Sequence, residues 1–171
     1  MSLETARIRI VGFGYVGQSC LRELQRLGCQ GLIVVERRLR TTYPPRQGVL
    51  YTNSSDVIRG GDWVIFVAGA GDQVDVARFP RIFGINDMYP PFSPEQMQSF
   101  AARGSTMHEV ALRAEGVQSS LPIEQFGIDQ FPGCMSQGLV EAAGVDTSQM
   151  QQPEFNVVAW NLGIRSGIHS S

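Results

Sequence analysis

The sequence predicts a three-layer α/β fold with a mostly parallel sheet and helices on both faces. Short apolar stretches with strand spacing alternate with a stretch of helical spacing in the first part of the chain. This alternation is typical of parallel sheets, because a helix carries the chain back across the sheet between strands. A run of closely spaced glycines lies at the first change from strand to helix spacing. The 43% hydrophobic and 18% charged residues are typical of a folded chain.

The first three predicted elements are a strand, a helix and a second strand. RIRIV, residues 7–11, places Ile8 and Ile10 on one strand face. Apolar residues then recur at helical spacing over 15–27, and Gly28 follows as a helix stop. GLIVVERR, residues 31–38, is a continuous apolar strand with a charged end.

Further along the first half, prolines and apolar runs define the elements. Residues 39–48 contain two prolines and predict a loop, residues 49–51 a brief strand and residues 54–61 a short helical turn. Residues 62–69, DWVIFVAG, predict another apolar strand.

Capping signals predict helices in the second half. Ser93 with Gln96, and Thr106 with Glu109, have the capping-box spacing and predict helices over 93–103 and 106–116. Residues 133–144 predict a third helix, 154–160 a late strand and 165–171 a frayed tail.

The glycine run GFGYVG, residues 12–17, has the spacing of a phosphate-binding loop. Gly12 allows a tight turn, Gly14 allows a pyrophosphate close to the backbone, and Gly17 allows close packing of helix on strand. The helix N-terminus that follows favours an anion at the same place. The alternative is an α/β domain whose glycines serve packing only.

Glu36 lies at the end of the strand that follows this glycine loop. With these two features, residues 7–38 resemble the first βαβ unit of NAD(P)-dependent dehydrogenases, including the UDP-sugar, saccharopine and homospermidine groups. The resemblance implies a Rossmann-type fold and a cofactor site that includes Phe13, Tyr15 and Val16 within the loop. It also implies that Glu36 binds the adenosine ribose and favours NAD. The resemblance places the loop of Ala68, Gly69 and Ala70 near the nicotinamide ribose.

The choice between NAD and NADP stays open at this stage. Arg37 and Arg38 directly follow Glu36, and guanidinium groups at this place are how such folds admit the 2'-phosphate of NADP. The alternative is that both arginines are solvated charges at a strand end.

Candidate catalytic groups are few. His108 is a weak general-acid candidate within a predicted helix, and His169 lies in the predicted tail. Cys134 lies where a helix should begin, which would lower its thiol pKa. The segment PGC is similar to the nucleophile motif of acyl-phosphate reductases of the semialdehyde dehydrogenase class, but the chain lacks the extra residue of their glycine loop and their large catalytic domain. A buried structural thiol is the alternative.

A polar cluster could bind substrate: Gln125, Asp129, Gln130 and Gln137.

Length and charge restrict the partners. The 171 residues predict one domain, with 1–88 as the nucleotide-binding half and 89–171 completing the sheet. A net charge of -2 argues against nucleic acid, and no long apolar run predicts a membrane span or signal peptide, so a cytoplasmic protein is expected. Three cysteines and two histidines predict no metal site.

Two functions remain open from the sequence. The first is an NAD(P)-dependent oxidoreductase for a small molecule, in which a homo-oligomer could supply the missing wall of the substrate site. The second is a non-catalytic nucleotide-binding module or accessory subunit of a complex, which the short chain favours.

Overall fold

A computed structural model describes residues 5–38, 48–114, 116–118, 130–132 and 135–170. The chain divides into two compact units, Met1–His108 and Glu109–Ser171. The expected loop at 39–48 and the candidate Cys134 fall wholly or mostly outside the described residues. The single-domain organisation, with its halves at 1–88 and 89–171, stays a prediction. In the described part of the chain, no helix is both long and apolar enough to cross a membrane.

The first unit contains a parallel five-stranded sheet with strand order β3-β2-β1-β4-β5. Its strands are β1 (Ile8–Val11), β2 (Leu32–Val35), β3 (Val49–Thr52), β4 (Trp63–Phe66) and β5 (Phe83–Asn86). Its helices are α1 (Tyr15–Arg26) and α2 (Pro94–Ala102), and short 3-10 turns lie at Ser55–Val57, Gly71–Gln73 and Val76–Arg78.

The strand register places the carboxyl ends of the central strands level with one another. Val11, the last residue of β1, lies opposite Val35 of β2 and Phe66 of β4. The chain leaves β1 toward β2 on one side, and β4 lies on the other side of β1. Ligands of open α/β sheets bind in the crevice that forms where the strand order reverses in this way.

Apolar side chains on both faces of this sheet form two separate cores. Ile10 and Val34 pack with Leu21 of α1 in one core. Phe66 packs with Phe92 and with Phe100 of α2 in the other core. The predicted α/β fold of Rossmann type, with helices on both faces of a mostly parallel sheet, is therefore confirmed.

The predicted helix signals of the first unit are confirmed as well. α1 ends before Gly28, whose φ of 81° is unfavourable for any residue with a side chain. The Ser93 hydroxyl accepts a hydrogen bond from the Gln96 N–H at 3.3 Å, and the Gln96 side chain accepts one from the Ser93 N–H at 2.8 Å. This reciprocal capping box is the one that the sequence predicts for α2.

The second unit is built on antiparallel pairing. Its elements are β6 (Thr106–Ala114), which begins in the first unit, β7 (Gln130–Pro132), α3 (Ser136–Ala142), α4 (Gln152–Asn161) and β8 (Ile164–Ser170). β6 pairs with β7 in antiparallel register and also pairs with β8. Leu112, Phe131, Val140, Ala159 and Ile164 form its core.

The predicted helix over 106–116 is wrong, because Thr106–Ala114 forms strand β6. The Thr106 N–H donates to the carbonyl oxygen of Ile82 at 3.1 Å, next to the start of β5. Met107 is buried in the sheet core. Sheet pairing satisfies the backbone N–H and C=O groups of this segment. This long-range stabilisation outweighs the local capping pattern of Thr106 and Glu109.

Two further sequence predictions are wrong, and the strands β5 and β7 were missed. Residues 154–160 lie in helix α4 instead of a strand, and the expected frayed tail forms β8. Gln151 and Glu154 make a capping box at the start of α4, a signal that the sequence contains and that outweighs a short apolar run. β5 was missed because Phe83–Asn86 is short and contains Gly84.

Candidate functional site

The glycine loop joins β1 to α1 at the carboxyl edge of the parallel sheet. Gly12 has a φ of 100°, and a Cβ there would lie 2.6 Å from the Ala68 backbone nitrogen. A Cβ at Gly17 would overlap the carbonyl oxygen of Gly12. Packing of the protein on itself therefore requires two of the three glycines, as expected for close contact of the helix with the strands.

Gly14 differs from the other two, because a Cβ there would meet no protein atom within 4 Å. Its φ of -69° is open to any residue. Gly14 is the N-cap of α1 and provides no side-chain cap, and the Gln18 N–H is bonded to its carbonyl oxygen at 3.0 Å. The N-terminus of α1 thus borders an open space that a side chain at Gly14 would occupy, which is a feature of anion sites at helix N-termini.

Glu36 lies immediately after β2 and contacts the glycine loop. One carboxylate oxygen accepts a hydrogen bond from the Phe13 N–H at 2.7 Å, and the other accepts one from the Arg38 N–H at 3.1 Å. A carboxylate has about four acceptor positions, so Glu36 keeps capacity for two ligand hydroxyl groups while these backbone bonds fix its position.

A cavity of about 500 Å³ extends from the glycine loop along the ends of β1, β2 and β4. This volume lies within the roughly 300–1,000 Å³ usual for small-molecule sites. The structure brings together these predicted cofactor residues in its lining: Gly12, Phe13, Gly14, Glu36, Arg37, Ala68, Gly69 and Ala70.

The other four predicted cofactor residues lie next to this lining but not in it. Tyr15 and Val16 are exposed on the first turn of α1, and Gly17 is buried beneath it. Arg38 is exposed and contacts Glu36 through its backbone. Arg37, in contrast, is exposed and lines the cavity, so it is the better placed of the two arginines to contact a ligand.

The loop after β4 is held by two sets of hydrogen bonds. The Val67 N–H donates to the Val11 carbonyl oxygen at 2.9 Å, and the Gly71 N–H donates to that of Pro90 at 2.8 Å. The side-chain amide of Gln96 donates to the Gly71 carbonyl oxygen at 3.0 Å. The segment that includes Ala68, Gly69 and Ala70 is thereby fixed at both ends beside the glycine loop.

The candidate general acid His108 is half-buried on β6 and does not line this cavity. Cys134, Gln125 and Asp129 lie outside the described residues. Gln130 begins β7, and Gln137 and His169 lie in α3 and β8. Their catalytic and substrate-binding roles stay predictions.

Asp87 is a titratable group that the sequence analysis missed. It directly follows β5, and its N–H donates to the Phe66 carbonyl oxygen at 2.9 Å. Burial raises the pKa of its carboxyl group from 3.8 to about 6. Burial also raises the pKa of the Cys20 thiol on α1, with a further contribution from the Asp87 charge. A carboxyl group with this pKa at the carboxyl edge of the parallel sheet can exchange protons near neutral pH. The position of Asp87 directly after an apolar stretch was the signal available in the sequence.

The raised pKa of Asp87 predicts a defined pH dependence of stability. Between pH 3.8 and about 6 the folded chain holds this proton more tightly than the unfolded chain, so the contribution of Asp87 to stability falls as the pH rises through that range. Asp87→Asn removes this contribution. We expect the melting temperature of Asp87→Asn, relative to the wild type, to increase from pH 4 to pH 6 and then to level off, as measured by thermal unfolding. A constant difference across this range would contradict the assignment.

Across the described ranges no group of three or more His, Cys, Asp or Glu side chains could hold a metal ion.

The sequence matches no protein-family model and no curated protein. A D-lactate dehydrogenase from Treponema pallidum is a solved structure that matches 61% of this chain at 16% identity, with a TM-score of 0.45. The matched part spans 34% of that enzyme.

Proposed function

We propose that the chain binds a nicotinamide dinucleotide, with NAD preferred, and acts as an oxidoreductase on a small molecule. The observation that carries the proposal is the open space at Gly14, at the N-terminus of α1, in the same cavity as the Glu36 carboxylate. Packing does not require glycine at this position, whereas a phosphate beside the helix would.

Each part of the dinucleotide would occupy its own part of the cavity. The backbone at Gly12, Gly14 and the first turn of α1 would hold the pyrophosphate, and Glu36 would accept hydrogen bonds from the adenosine ribose. The loop of Ala68, Gly69 and Ala70 would leave room for the nicotinamide ribose. The bound dinucleotide would supply hydride transfer, while the residues of this chain bind and orient it.

The Glu36 carboxylate supports NAD over NADP, because a negative charge there would repel a 2'-phosphate. Arg37 lines the same cavity and would attract that phosphate. The two adjacent side chains therefore have opposite effects on cofactor choice, and the charge nearest the ribose decides.

Glu36→Gln tests which of the two charges decides. The glutamine oxygen can still accept the Phe13 N–H, so the loop should keep its structure. Loss of the charge should weaken NADH binding about tenfold and strengthen NADPH binding. Calorimetric titration with both cofactors measures the ratio of the NADH and NADPH affinities. Glu23→Gln on the exposed face of α1 is the matched control. An unchanged ratio would assign cofactor choice to Arg37 and Arg38.

A non-catalytic nucleotide-binding module is the second candidate function. It is favoured by the position of His108, which does not line the cavity. If the chain is an enzyme, a homo-oligomer or a larger complex would complete its substrate site. If it is a module, the other subunits would respond to nucleotide binding.

Titration of the purified chain with NADH and with NADPH tests the proposal. Micromolar binding, about -8 kcal/mol, supports the cofactor site, and oxidation of NADH with a panel of carbonyl substrates then supports the oxidoreductase. Tight binding without turnover across the panel supports the module. The absence of both heat and a thermal shift with either cofactor would overturn both functions.

A further inference from the structure

Two side-chain amides outside the glycine loop line the cavity. Asn53 and Gln73 both line the cavity and both are exposed. In the part of the chain that the structure describes, neither amide group makes a side-chain hydrogen bond. Each therefore keeps its donor and its acceptor for a ligand.

The backbone that carries Asn53 is fixed next to Glu36. The Glu36 N–H donates to the carbonyl oxygen of Thr52, the last residue of β3, at 2.9 Å. The Ser54 N–H donates to the Thr52 hydroxyl at 3.1 Å. Asn53 lies between these two bonded residues, so its side chain starts from a defined position beside the expected ribose site.

The backbone that carries Gln73 is fixed by the side chain of Gln96. Gln73 is the last residue of the 3-10 turn Gly71–Gln73. The Gln96 side chain donates hydrogen bonds to the carbonyl oxygens of Gly71 at 3.0 Å and of Val74 at 2.9 Å. These two bonds bracket Gln73 and hold its backbone at the cavity wall.

Apolar side chains line the same cavity as the two amides. They include Val35, Val67, Val74 and Phe79. Apolar side chains with polar groups that fix orientation are the usual composition of a small-molecule site. Glu36, which the proposed function assigns to the adenosine ribose, lies in the same lining, and the adenine base is attached to that ribose.

We propose that Asn53 and Gln73 recognise the edge of the adenine base, so that the chain discriminates adenine dinucleotides from dinucleotides with other purines. This inference rests on the proposed function. A side-chain amide matches adenine because it accepts from the N6 amino group and donates to N7. Hypoxanthine presents two acceptors, O6 and N7, at the same edge, and one amide cannot match both in that way.

Calorimetric titration with NAD and with nicotinamide hypoxanthine dinucleotide tests this proposal. For the wild type we expect the hypoxanthine form to bind about tenfold more weakly, because a hydrogen bond between the amide and the base is replaced by an unmatched pair. We expect Asn53→Ala, Gln73→Ala or both to lose most of that discrimination. Gln98→Ala, which changes an exposed amide on α2, is the matched control and should keep it.

The outcomes separate this inference from the proposed function. Equal binding of both dinucleotides by the wild type, or full discrimination in both Asn53→Ala and Gln73→Ala, would overturn base recognition by these amides while leaving the dinucleotide site in place. Failure of the wild type to bind either dinucleotide, with its fold verified by circular dichroism, would overturn the proposed function and the inference together.

Discussion

Gly14→Val should abolish dinucleotide binding while leaving the fold intact. A side chain at this position meets no protein atom within 4 Å of its Cβ, and the backbone φ of -69° accepts valine. The side chain would instead fill the space beside the first turn of α1 where a phosphate is expected. We expect the affinity for NADH to fall by about 100-fold or more and the melting temperature to change by no more than about 2 °C. Calorimetry and thermal unfolding measure the two quantities.

Gly60→Val is the matched control for this experiment. Gly60 is exposed, precedes β4 at the opposite end of the strands, and would place its Cβ 4.0 Å from the Arg81 carbonyl oxygen. It should therefore leave NADH binding unchanged. Gly17→Ala gives a contrasting result, because its Cβ would overlap the Gly12 carbonyl oxygen and should lower stability itself. Retained NADH affinity in a folded Gly14→Val protein would show that the loop does not hold a phosphate.

Asp62→Ala should cause the largest loss of stability of the substitutions considered. Asp62 is fully buried, and one of its carboxylate oxygens lies 2.9 Å from the guanidinium Nε of Arg9, whose side chain is only 8% exposed. The other oxygen lies 2.9 Å from Nε of Arg7, and the Arg59 N–H donates to the carboxylate at 2.9 Å. Removing the carboxylate leaves the Arg9 charge buried without its counter-ion, which costs about 3–5 kcal/mol. Chemical denaturation measures the free energy of unfolding.

Glu23→Ala is the control for the ion-pair assignment. Glu23 contacts Arg26 on the surface of α1, with both side chains more than half exposed. Solvent screens such a pair, so this substitution should leave the free energy of unfolding nearly unchanged. A loss in Asp62→Ala as small as that in Glu23→Ala would mean that the buried Arg9 is compensated in another way, for example by the carbonyl oxygens of Ile8 and Gly31 that it also contacts.

The local sequence determined the first βαβ unit and its glycine loop. β1, α1 and β2 follow from apolar spacing, and Gly28 and the Ser93 capping box fix helix ends through bonds within a few residues of one another. Such signals are readable from sequence because both partners are close in the chain. The cavity residues Gly14 and Glu36 follow from the same pattern, since a strand end and a helix start place them at one edge of the sheet.

Tertiary structure decided the elements whose partners are distant in the chain. Thr106–Ala114 is a strand because its backbone can pair in a sheet, although its own residues also fit a helix. Arg9 is buried because Asp62 lies against it, a contact that strand alternation alone does not predict. Long-range pairing and desolvation act between residues far apart in sequence, so periodicity cannot reveal them. The same holds for Asp87, whose raised pKa comes from burial by the folded chain, and for Asn53 and Gln73, which only the folded sheet brings to one cavity.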